Sequence, residues 1–118
     1  MTPLRLVLVD DSAADRALAA RELQRHLGDV ALREVDGPAA LDAVLAGAAP
    51  HAIVTDYRLG WGDGVAVVER VKATWADCPV IMFTDSGNEE VAVRALKAGA
   101  DDYVVKSARY GFALPAAV

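Results

Sequence analysis

Asp10, Asp11, Asp56, Thr84 and Lys106 each stand where a short apolar run gives out. The runs are Leu4–Val9, Ala52–Thr55, 79–83 and 103–105. As parallel strands of one sheet, they would deliver these polar groups to a common edge. Open α/β sheets bind ligands at that carboxyl edge. Three carboxylates, one hydroxyl and one ammonium in one crevice suit a divalent cation and a phosphoryl group.

The charge balance gives the chemistry. At ~4 Å and an effective dielectric of ~20, each like-charge carboxylate pair costs about 4 kcal/mol. A hard dication relieves that repulsion. Mg²⁺ takes oxygen ligands and keeps waters that phosphate oxygens can replace. Asp11 and Asp56 are expected as direct ligands, with the backbone carbonyl of Arg58, and Asp10 as a ligand through water. With the metal bound, Asp56 becomes a nucleophile able to form an acyl phosphate. Lys106 and Thr84 would then balance the charge on the transferred group.

The elements that must position these residues can be read from the alternation of apolar runs with helical periods. Leu4–Val9 is nearly all apolar, as a strand covered on both faces should be. Ser12 caps the first helix, with Asp15 three residues on in a variant of the capping box. Ala20, Leu23 and Leu27 form the buried face of that helix, and Gly28 ends it. Val30–Val35 is more polar and belongs at a sheet edge. Pro38 opens a second helix with a stripe of Leu41, Val44, Leu45 and Ala48. Strand three spans 52–56, and a glycine-rich loop follows at 60–64. The third helix buries Val68, Val71 and Trp75. Strand four spans 79–84. The fourth helix buries Ala92, Ala95 and Leu96 and stops at Gly99. Strand five spans 102–106, and 114–118 reads as the opening turn of a truncated fifth helix.

This βα alternation predicts an α/β, flavodoxin-like three-layer sandwich, a five-stranded parallel sheet of order 2-1-3-4-5 with helices on both faces. Strand two then lies away from the crevice, so Asp36 at its end is excluded from the site.

Composition sets the bounds. A chain of 118 residues makes one domain, expected over 1–118 and as a piece of a longer signalling protein. It is 54% hydrophobic and 25% charged, as a globular domain should be. A net charge of −5 and the lack of a basic stripe argue against direct nucleic-acid binding. The single cysteine, Cys78, excludes an internal disulfide. No apolar run reaches membrane-spanning length, and the expected location is cytoplasmic.

Taken singly, each site residue has a plainer reading. Asp10-Asp11 could be helix N-terminal charges, Asp56 a turn residue, Thr84 a strand residue and Lys106 a solvated lysine. Together they form a pattern. The segments Leu8-Val9-Asp10-Asp11-Ser12, Val54-Thr55-Asp56-Tyr57-Arg58-Leu59 with Gly64, Phe83-Thr84, and 98–106 ending in Lys106 resemble the receiver domain of bacterial two-component response regulators. The resemblance implies that Asp56 accepts a phosphoryl group from a phosphohistidine of a sensor histidine kinase or phosphotransfer protein. It implies a switch pair, Thr84 and Tyr103, that reshapes the surface of helix four and strand five. It also implies an effector or kinase module C-terminal in the parent chain and a phosphorylation-dependent homodimer. Arg58 and Ser86 would tune phosphoryl lifetime. The chain departs from the family at Ser107 and Gly60, where relatives often carry proline.

Two other readings compete. A small-molecule phosphatase would also use an aspartyl phosphate, Mg²⁺, a hydroxyl and a lysine. Such enzymes carry the nucleophile on the first strand, with a second acid two residues on, and this chain does not. A receiver-like module that only binds partners would have lost an acid or the lysine, and none is lost here. The expectation is therefore a switch whose only chemistry is self-phosphorylation from a donor and self-dephosphorylation.

Overall fold

The computed structural model of the chain describes residues 3–85 and 88–106. Strand β1 (Leu4–Val9) leads to helix α1 (Ala13–Leu27), β2 (Val30–Val35), α2 (Pro38–Leu45) and β3 (Ala52–Thr55). A short hairpin of β4 (Arg58–Leu59) and β5 (Gly62–Asp63) precedes α3 (Gly64–Thr74). Then come β6 (Val80–Thr84), α4 (Glu89–Ala98) and β7 (Asp102–Val105).

The main sheet has the order β2-β1-β3-β6-β7, with every pairing parallel. With the hairpin set aside, this is the expected 2-1-3-4-5. The alternation of side chains along the strands divides the core in two. Val7, Val9, Ile53, Val80 and Met82 point to one face, against Leu41 and Val44 of α2, Val68 and Val71 of α3 and Ala95 of α4. Leu6, Leu8, Val54, Ile81 and Phe83 point to the other, against Ala19 and Leu23 of α1. Burial on both faces explains why β3, β6 and the 6–9 part of β1 read as apolar runs, with Arg5 exposed near the start of β1. β2 lies at the edge with Arg33 and Glu34 exposed.

The structure revises several details. The 60–64 segment is not a plain loop, because Leu59 pairs with Gly62 and Arg58 with Asp63. Gly64 is already the first residue of α3. α2 ends at Leu45, leaving Ala48 exposed beyond it. Trp75 is the C-cap of α3 and packs half-buried against the core, and Val65 and Val67 join Val68 and Val71 in the buried stripe. On α4, Val91 and Ala95 are buried, whereas Leu96 is 49% exposed. A helix packed on a sheet edge buries a narrow stripe, and Leu96 falls outside it. The last helix expected at 114–118 and the Lys106–Ser107 bond lie outside the described residues, as does Ser86.

Candidate functional site

The carboxyl ends of β1, β3, β6 and β7 carry the site. Asp10 and Asp56 follow the last residues of β1 and β3. The Asp56 backbone N–H donates to the Val9 carbonyl at 2.9 Å, which continues the ladder by one bond. Lys106 follows β7, and its N–H donates to the Thr84 carbonyl at 2.8 Å. Register therefore brings residues 10, 56, 84 and 106 to one edge.

The Lys106 ammonium is the hub. Its Nζ lies 2.9 Å from Asp10 Oδ2, 2.9 Å from Asp15 Oδ2 and 3.2 Å from Asp56 Oδ2. It also sits over the Phe83 ring, 5.5 Å from the centroid. Burial alone would depress the Lys106 pKa. The bonds to Asp10 and Asp15 and the charge of Asp56 outweigh that, so the group is held well above its ordinary value.

Asp10 is almost fully buried, and burial pushes its carboxyl above the usual range. The Ser12 N–H, donating to Oδ1 at 2.9 Å, and Lys106 oppose that shift. The Asp10 carbonyl accepts from Arg16 Nη1, and the same guanidinium pairs with Glu34 at 3.0 Å. Asp56 Oδ1 accepts from the Tyr57 N–H at 2.7 Å, which leaves Oδ2 turned toward Lys106.

Asp15 is the site residue that sequence reasoning missed. It does not complete a capping box. The Ser12 side chain accepts from the Asp15 N–H at 3.2 Å, but the Ser12 N–H goes to Asp10 and the Asp15 carboxylate goes to Lys106. The available signal was position: Asp15 stands in the first turn of α1, which starts three residues after Asp10 at the carboxyl end of β1. Oxygens of Asp10, Asp15 and Asp56 lie within 4.8 Å of one another, gathered around the Lys106 ammonium.

Asp11 is placed differently. It is exposed, and its Oδ2 accepts from the Gly60 N–H at 2.7 Å. It lies at the site's rim and outside the group of three. Arg58 is exposed in β4, two residues past Asp56. Thr84 is fully buried at the end of β6. Tyr103 is half-buried, and its hydroxyl pKa is raised by burial and then by the charge of Asp56. Its ring packs on the core beneath α3 and α4. Asp36 is exposed at the end of β2 and away from the crevice.

One link leaves the pocket toward α4. Arg94 Nη1 donates to the Tyr57 hydroxyl at 2.8 Å and lies over its ring. Tyr57 thereby joins Asp56 to α4 through its own N–H. Among the described residues, no helix is long and apolar enough to cross a membrane.

Comparison with known proteins agrees with this geometry. A family model described as the response regulator receiver domain matches residues 6–111. A chemotaxis protein CheY homolog of Campylobacter jejuni is 31% identical over 105 residues, covering 87% of this chain and 81% of that protein. The response regulator MprA of a Mycobacterium species is 39% identical over 106 residues, covering 88% of this chain and 44% of that one. Among solved structures, the phosphorylated cyanobacterial phytochrome response regulator RcpA superposes with a TM-score of 0.86 at 22% identity, covering 98% of this chain and 91% of that one. The BeF3-activated DrrB receiver domain gives 0.81 at 27% identity, covering 98% and 93%. With its parallel sheet in the order 2-1-3-4-5 and its acidic pocket closed by Lys106, the chain belongs to the response regulator receiver domain family of two-component signalling.

Proposed function

We propose that Asp56 accepts a phosphoryl group from the phosphohistidine of a sensor histidine kinase or phosphotransfer protein, and that this event switches the α4/β7 surface. The observation that carries the reading is the Lys106 ammonium, 3.2 Å from Asp56 Oδ2 in a pocket holding two further carboxylates. An Asp56 oxygen attacks phosphorus. The bond from phosphorus to the histidine nitrogen breaks, and its electron pair leaves with the imidazole. Lys106 and the Thr84 hydroxyl stabilise the charge on the transferred oxygens.

The pocket's donors are hard oxygens, and one ammonium opposes three carboxylates, so the residues fit Mg²⁺. Asp11 and Asp56 would hold the ion together with the Arg58 carbonyl, and Asp10 through water, Asp11 exchanging its Gly60 N–H for the metal. When bound, Mg²⁺ neutralises phosphoryl charge. The switch pair is Thr84 and Tyr103. Tyr103 already feels the Asp56 charge, so a change at Asp56 alters its surroundings directly. The surface it would reshape carries the exposed side chains of Val93, Leu96 and Val105, which a partner can cover.

Residues 1–118 are read as one receiver module, and the chain spans 44% of MprA and 81% of the CheY homolog. The test is incubation with acetyl phosphate and Mg²⁺, followed by intact-protein mass measurement. A switch gains one labile phosphoryl group, and Asp56→Asn gains none. Many turnovers of donor would favour a phosphatase, and no modification would leave only a binding module.

A further inference from the structure

Asp15 is the one carboxylate in the pocket without a task in the reaction just described. An ammonium has three N–H donors. In Lys106 all three are taken, by Asp10, Asp15 and Asp56. The N–H now on Asp56 can pass to a phosphoryl oxygen, but a second donor for that group has to come from Asp10 or Asp15. Asp10 is fixed, being buried and held by the Ser12 N–H. Asp15 has the most exposed side chain of the three, at 35% against 10% and 12%. It stands on the first turn of α1, where water can replace its bond to the ammonium. Until it yields, its negative charge lies within 4.8 Å of the Asp56 carboxylate, where a dianionic donor must arrive.

From this geometry we infer that Asp15 is a positioning residue that occupies Lys106 and throttles phosphoryl acceptance at Asp56. The inference rests on the phosphoacceptor reading above. The step itself is unchanged: an Asp56 oxygen bonds to phosphorus and the donor's oxygen or nitrogen leaves with the electron pair. Asp15 sets how readily Lys106 turns to the incoming oxygens.

The test compares the full chain with Asp15→Asn, Asp15→Ala and Asp15→Glu at saturating Mg²⁺ and subsaturating acetyl phosphate. The two neutral variants are expected to accept phosphoryl about five-fold faster, the scale of one partly exposed charge pair. The gain should shrink as salt screens the pocket. Asp15→Glu should return the rate toward that of the unaltered chain. Beryllofluoride, a non-covalent phosphoryl mimic, should bind the neutral variants more tightly by a similar factor. Neutral variants no faster than the unaltered chain would overturn the inference while leaving the phosphoacceptor reading intact. So would a faster rate without salt dependence or a change in beryllofluoride affinity. A higher magnesium requirement with no gain in rate would instead make Asp15 a metal ligand. If the unaltered chain neither accepts phosphoryl nor binds beryllofluoride, the phosphoacceptor reading fails and this inference falls with it.

Discussion

Gly64 lies so close to Asp56 that a β-carbon at position 64 would overlap the Asp56 carbonyl oxygen. It would also come within 3.0 Å of Met82 Cε, in a side chain that is fully buried. The Gly64 N–H donates to the Tyr57 carbonyl at 2.7 Å, so the start of α3 is pinned to the backbone just past β3. Gly64→Ala is therefore expected to cost about 1–3 kcal/mol, as overpacking does. Urea denaturation measures the loss. Slower phosphoryl acceptance should accompany it, because the carbonyl that must move belongs to Asp56.

Asp10→Asn should stabilise the metal-free protein by up to about 1 kcal/mol, in a trade of stability against function. Burial holds the Asp10 carboxyl above its unfolded value, so the folded state favours its protonated form. The unaltered chain should gain stability as pH falls from that raised value toward the ordinary carboxyl range, and the variant should lack this gain. Thermal melts between pH 7 and about 4 check the sign. Stabilisation by added Mg²⁺ should weaken in the variant.

Asp101 behaves in the opposite way. Burial raises its pKa, but the bonds from Lys72 and from the Val80 N–H, both 2.8 Å, outweigh burial and hold it below the usual range. Its contribution is present above the unfolded carboxyl value and is lost as pH falls through the lowered folded value. Asp101→Asn should cost less than about 1 kcal/mol at neutral pH, since half of the side chain meets solvent. The difference from the unaltered chain should disappear in acid, as read by denaturation at both pH values.

Arg94→Ala removes an exposed bond and ring contact, so the stability loss should stay below about 1 kcal/mol. Its effect on communication should be larger. Beryllofluoride is expected to shift the amide resonances of α4 less in this variant than in the unaltered chain. Equal shifts would show that Tyr57 does not carry the response.

Burial state made the sheet legible in the sequence. Strands covered on both faces leave continuous apolar runs, and their polar ends mark one edge. The gathering of Asp10, Asp56, Thr84 and Lys106 at one edge is legible for that reason, whereas the turn of Asp11 toward Gly60 is not. Asp15 escaped because an acid three residues after a capping serine has a sufficient local explanation, and only the approach of Lys106 from 91 residues away supplies the other. Helical period alone does not fix the width of the buried stripe, so the exposure of Leu96 is not legible in the sequence. A two-residue strand has no period to read, so the β4–β5 hairpin is not legible either.

Lys106 gathers three side chains from two earlier stretches of the chain, residues 10–15 and residue 56, onto a single nitrogen. The three carboxylates precede their counter-charge in the sequence, so their charges are balanced in the pocket only once β7 has docked beside β6. On the phosphoacceptor reading, a partly folded copy would lack the assembled pocket, which couples readiness for a signal to having finished folding.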